Sequence, residues 1–167
     1  MNPITAKKTS LAVLRNLYAF HTQLYNNVLV DITDEDAHKR LNTKANHIAW
    51  IAGSLVHERF EIAKAIGIDL RQASPEFFQD NKGIQDNITY PTLEEYKKEW
   101  EKISTVLQDK LDHLSEEELN GPDPFGMPGD NLKLFDSITF FVDRESYCIG
   151  QIGLWRRLLG YPAMKYA

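Results

Sequence analysis

The stretch RESYCIGQIGLWRRLLG, residues 144–160, decides how the rest of the chain is read. Its apolar positions Cys148, Ile152, Trp155 and Leu159 recur at three- and four-residue steps, the spacing of one helix face. Leu134, Ile138, Phe141 and Val142 extend that face toward the N-terminus, which predicts a helix from about Asn131 to Leu159. Gly160 and Pro162 end it. Arg156 and Arg157 fall in the last turn, where positive charge suits the helix dipole and a solvated terminus accounts for both.

Working outward, three more long helices are expected. From Ser10, a plausible N-cap, to about Asp31, the residues Leu11, Leu14, Leu17, Tyr18, Leu24, Tyr25 and Val28 form one apolar face. A short connector helix fits Ile32 to Leu41, where the Thr33 hydroxyl precedes Asp34, Glu35 and Asp36. The second long helix is expected from about Thr43 to Ile66, with Ile48, Ile51, Leu55, Ile62 and Ile66 as its stripe and Gly67 as its stop. A third opens at Thr92 with a capping box to Glu95, and its face runs through Leu93, Tyr96, Trp100, Ile103, Val106, Leu107, Leu111 and Leu114.

The connections differ in kind. Residues 67–92 carry Pro75, Gly83 and Pro91 among many Asn, Asp and Gln residues, so a long crossover with one helical turn is expected, and long crossovers bear on function or topology. Ser115 and Glu118 offer a second capping box, after which GPDPFGMPG (121–129) must be loop. Phe77, Phe78, Phe125 and Met127 lie in these connections, either as lids or as satellites of the core. The tail GYPAMKYA (160–167) reads as extended chain lying on the helices.

This inventory predicts an all-α domain spanning residues 1–167, a four-helix bundle with a long crossover between its second and third helices. A chain of this length hides roughly 70% of its unfolded surface, enough for a substantial core. With 43% hydrophobic and 26% charged residues the composition is that of an ordinary soluble protein. A net charge of −5 speaks against nucleic acid as the main partner. One cysteine, no leader-like opening and no apolar run near the roughly 20 residues of a membrane span make a cytoplasmic protein without membrane insertion the expectation.

Two stretches, NHIAWIAGSLVHERF (46–60) and ESYCIGQIGLWRRLLGYP (145–162), resemble the DinB-like four-helix-bundle family in order and spacing. The resemblance covers almost the whole chain as architecture and about thirty residues as motif. It implies a metalloenzyme fold whose second helix has Gly-His and whose fourth has His-x-x-x-His before x-Gly-Gln. Three imidazoles of that kind suit zinc or nickel with one open position. Related bundles include transferases and isomerases that use a low-molecular-weight thiol.

Residue by residue, the resemblance places Ser54, Arg144 and Cys148 at the three ligand positions. An arginine offers only donors and keeps its charge, so it repels a divalent cation, and the expectation is that the metal site is lost. An alternative ligand set remains open: His47 and His57 lie seven residues before and three after Ser54, and with Trp50 and Glu61 they form a stripe that can face the same cavity. His47 or His57 with Cys148 and either Glu58 or Glu61 would be chemically possible for zinc. The plainer reading pairs His57 with Glu61 on the surface and leaves His47 as a hydrogen-bonded, partly buried histidine.

Cys148 and Arg144 have competing roles too. The thiol is either a nucleophile activated by Arg144 one turn away or a core residue. Arg144, if inward-facing, must be paired, with Glu58, Glu61 and Asp143 as candidates, or must receive an anionic ligand. Three functions follow: a metal-free or cryptic binder of a small molecule, with Ser54, Arg144, Cys148, His47, His57 and Trp50 lining its pocket; a divergent metal-dependent, thiol-type transferase or hydrolase; and a homodimeric interaction protein built on spare apolar positions of the first and fourth helices.

Overall fold

The structure is a computed structural model that describes the backbone of residues 3–166 and the side chains from Leu11 to Tyr166. The side chain of Ser10 and the final tail residue, Ala167, lie outside what is described. Among the described residues the chain is all-helical, with no strand. Four long helices dominate: α1 (Pro3–Val28), α3 (Ile48–Ala65), α4 (Leu93–His113) and α6 (Leu134–Leu158), with short α2 (Asp34–Ala37) and α5 (Glu116–Asn120) between them. The long helices close a ring of contacts: α3 packs on α4, α4 on α1, α1 on α6, and α6 on α3. No described helix is long and apolar enough to cross a membrane.

The capping chemistry explains several boundaries. Thr92 accepts from the Glu95 amide while the Glu95 carboxylate takes the Thr92 amide, and Ser115 and Glu118 repeat the arrangement at α5. Thr33 caps α2 through the Asp36 amide. Two expected starts are corrected. Helix α1 begins at Pro3, seven residues before Ser10, and proline suits a first helical position because its missing N–H has no partner to lose. Helix α3 begins at Ile48, not Thr43, because Leu41 and Asn42 adopt left-handed backbone and the His47 ring supplies the cap. Gly67, at φ 84°, ends that helix as expected.

The core gathers Tyr25, Val28, Leu29, Ile48, Ile51, Leu55, Trp100, Ile103, Leu107, Ile149 and Ile152, all buried. Leu17 and Val106, expected on inward faces, are instead exposed. Arg156 is a further correction: it is buried, not solvated, and donates to the carbonyls of Val28, Val30 and Pro162 at 2.9, 2.6 and 3.1 Å. It thereby satisfies orphan carbonyls at the end of α1. The tail lies on the helices as expected, where the Tyr161 hydroxyl donates to Asp36 at 2.5 Å and Asn27 donates to the Lys165 carbonyl.

The crossover from α3 to α4 holds two single turns of 3-10 helix, Pro75–Phe77 and Gln79–Asn81. Phe78 between them is buried and packs among the rings of Trp50, His57, Phe77, Tyr90 and Tyr96. Gly53 makes this possible. A Cβ there would overlap the Tyr96 ring and the tip of Phe78, so only glycine lets the crossover and α4 approach α3 this closely.

Candidate functional site: two ion pairs between the second and fourth long helices

Helix α3 presents Glu58 followed by Arg59, and α6 presents Arg144 followed by Glu145. The two helices clasp reciprocally: Arg144 pairs with Glu58, and Arg59 pairs with Glu145. Ser54 stands one turn before Glu58, and its hydroxyl accepts from Arg144 at 3.3 Å while donating to the Ile51 carbonyl at 2.9 Å. The arginine expected to need a partner thus has Glu58, one of the three candidates.

The outer pair is asymmetric. Glu58 is 7% exposed, whereas the Arg144 side chain keeps about a quarter of its surface. Arg144 holds one Glu58 oxygen, and the other, Oε1, is buried with no hydrogen-bond partner. Burial pushes the Glu58 carboxyl up to about 8 despite the guanidinium beside it, and the Glu145 charge adds to the rise. Cys148 is buried as well. Its thiol is raised by burial more than Arg144 lowers it, so it stays protonated at neutral pH and the activated-nucleophile role loses its physical basis.

The inner pair uses every donor of its guanidinium. Arg59 has no exposed surface and grips Glu145 with two prongs, at 2.5 and 2.8 Å. Its remaining donors reach Thr22 Oγ1 and Ser104 Oγ at 2.8 and 2.5 Å, and its plane lies between the Tyr18 and Trp100 rings, 3.8 and 3.5 Å from their centroids. His21 Nδ1 stands 3.3 Å from Glu145. Burial works against the Glu145 carboxylate, yet Arg59 and His21 hold it below the ordinary range.

All four long helices meet at this network, and sequence reasoning missed it. A signal existed: Arg59 falls in register with Ala52, Leu55, Val56 and Ile62, and Glu145 with Ile138, Val142, Ile149 and Ile152, both positions where an apolar residue belongs.

The remaining candidates separate. His47 is buried at the start of α3, where Nδ1 accepts from the Trp50 amide at 3.1 Å and the ring packs on His38 and Tyr90. Burial, with His38 and Arg40 nearby, lowers it to about 4, so it is neutral there. His57 turns to the crossover, meeting Gln72 Oε1 at 2.7 Å and stacking on Phe78, and pairs with Gln72 instead of Glu61. Half-buried Trp50 also packs on Phe78, and its indole N–H has no partner. The stripe therefore splits: Ser54 meets Arg144 of α6, Trp50 and His57 face the crossover, His47 caps, and Glu61 makes no ion pair among the described residues.

These residues do not fit a metal. Ser54 has spent its hydroxyl on Ile51 and Arg144, Cys148 holds its proton, and Arg144 brings a positive charge. Among the described residues, no three His, Cys, Asp or Glu side chains stand close enough to hold one ion. A cavity of about 650 Å³ opens elsewhere, lined by Leu11, Arg15, Leu114, Leu119, Lys133 and Phe135, and none of the candidate residues reaches it. No family model matches the chain, and no curated protein matches it.

Proposed function

We propose that this protein is a DinB-like four-helix bundle in which an interhelical ion pair stands at the position of the family's metal, and that it binds a small organic molecule there without a metal. The observation that carries the reading is Glu58, a buried carboxyl with one oxygen held by Arg144 and the other without a partner. A buried polar atom left unpaired costs about 1–3 kcal/mol, which a ligand donor would recover.

The chemistry narrows the ligand. The site offers its acceptor when Glu58 is ionised: the Glu58–Arg144 pair is then balanced in charge, the ligand need bring none, and a donor on Oε1 stabilises the ionised carboxyl against the burial that raises it. The ligand needs a donor for Glu58 Oε1 beside an acceptor for the partly exposed Arg144 guanidinium, as a primary carboxamide provides. Cys148, a buried thiol, bounds the site without reacting in it.

The test is a proton–nitrogen NMR titration with acetamide, with sodium acetate and zinc chloride as comparison probes. Acetamide is expected to shift the Ser54, Glu58 and Arg144 signals more than acetate does, and zinc is expected to bind below stoichiometry. Shifts scattered away from these residues, or one tightly bound zinc per chain, would overturn the proposal. The family assignment has its own check. Changing Ser54→His, Arg144→His and Cys148→His together is expected to create zinc or nickel affinity, and failure to bind either would mean that the three positions do not converge on one centre.

A further inference from the structure

The outward faces of the four long helices are not alike. On α4 the exposed residues are Glu94, Glu95, Lys98, Glu101, Lys102, Thr105, Val106, Asp109, Asp112 and His113, a charged surface such as water favours. On α6 they are Asp136, Thr139, Phe140, Asp143, Ser146, Tyr147, Gly150, Leu154, Arg157 and Leu158. Tyr147 is 70% exposed and Leu154 60%. Phe140, Tyr147 and Leu154 recur every seventh residue, so they form one row along the helix.

Helix α1 packs along α6 and continues the pattern. Its exposed side chains from Ala12 onward are Ala12, Val13, Asn16, Leu17, Ala19, Phe20, Gln23 and Asn26, with no charge among them. Its one charged residue in that range, Arg15, is turned to the Leu111 and Asp112 carbonyls of α4. Depletion of charge with enrichment of aromatic residues such as Phe and Tyr is the mark of an interface core.

Two of the three exposed charges on α6 name the occupant. Asp143 and Arg157 lie on one line with Gly150 midway, seven residues from each, or about 10 Å along the helix. Neither makes an ion pair among the described residues. Two copies of α6 crossing antiparallel about Gly150 bring Asp143 of each to Arg157 of the other. The crossing point is open: a Cβ at Gly150 would meet nothing within its own chain. A mid-helix glycine costs about 1 kcal/mol against alanine, so packing within the chain does not account for it.

We infer that the α1–α6 face is the interface of a two-fold homodimer, centred on Gly150 and keyed by two reciprocal Asp143–Arg157 pairs. The area suffices. With 25 residues in α6 and some 17 of α1 contributing, at 1.5 Å rise and about 10 Å width per helix, each copy offers about 600 Å². That meets the lower bound of about 1,200 Å² in total for a specific interface. The dimer stands independently of the proposed ligand site, because Ser54 and Glu58 are buried on the α3 side of α6.

Light scattering behind size-exclusion chromatography tests it, with mass read at about 100 µM and after dilution, since a dimer dissociates by mass action. The expected mass is twice 19.2 kDa. Asp143→Arg alone and Arg157→Asp alone are each expected to weaken association at least about tenfold through like charges placed opposite one another, and the double swap to restore it. Leu154→Glu, on an exposed position that the fold does not use, is expected to give a folded monomer by circular dichroism. A wild-type monomer at the highest concentration, or a dimer indifferent to all four changes, would overturn the inference.

Discussion

Arg59 and Glu145 meet as a two-pronged ion pair with neither side chain exposed, and between them they touch or closely approach residues from all four long helices. Each end is fully bonded: Thr22, Ser104 and the Tyr18 carbonyl take the other Arg59 donors, and two aromatic rings cover the guanidinium. Removing one partner leaves a buried charge without compensation. Arg59→Met is therefore expected to cost about 3–5 kcal/mol, and Arg59→Met with Glu145→Leu to cost less than that single change. Urea denaturation of the three proteins checks this. Because the folded Glu145 carboxyl titrates below its ordinary 4.5, its stabilising contribution is present above that pH and is lost as pH falls further, a loss the double variant lacks.

Glu58 has the opposite sign. The folded carboxyl titrates at about 8 and the unfolded one near 4.5, so between these values the folded chain keeps a proton that the unfolded chain has released. Stability should fall as pH rises through that window and level off above it. Glu58→Gln should flatten the slope, as urea midpoints at about pH 5 and about pH 8 would reveal.

His47 produces a slope in the acid direction. Its folded value of about 4 lies below the ordinary 6.5, so acid protonates the unfolded chain first and stability is lost as pH falls from 6.5 toward 4. Protonation also removes the acceptor that caps α3. His47→Asn keeps a cap and abolishes this slope, whereas His47→Ala costs about 1 kcal/mol at neutral pH. The windows of His47 and Glu58 overlap with opposite signs, and the two variants separate them.

Gly53 reports on the crossover. Gly53→Ala is expected to destabilise by about 1–3 kcal/mol, because the Tyr96 ring and Phe78 must both retreat. Thermal denaturation should show the loss, and a second change, Phe78→Ala, should recover less than it costs because it opens a cavity among five rings.

Much of the helix plan was legible because it rests on local rules. The capping boxes at Thr92 and Ser115, the stop at Gly67 and the loop at 121–129 are set by hydrogen bonds and backbone preferences within a few residues. Failures came where a distant partner decides. Arg156 looked solvated and is buried under the Val28 and Val30 carbonyls, and Leu17 and Val106 fit the apolar period yet face outward.

The candidate site divides in the same way. That Arg144 requires a partner follows from the cost of an unpaired buried charge, and sequence alone reduced the choice to three acids. Which acid it meets, and that the neighbouring Arg59 and Glu145 form a second pair, depends on the rotation of α3 against α6. A helix period determines which side chains share a face, since that is geometry within one segment. Only packing between segments fixes which face meets which, and here it turned two adjacent charged dipeptides into a clasp and left apolar side chains of α1 and α6, among them Phe20, Phe140, Tyr147 and Leu154, facing outward.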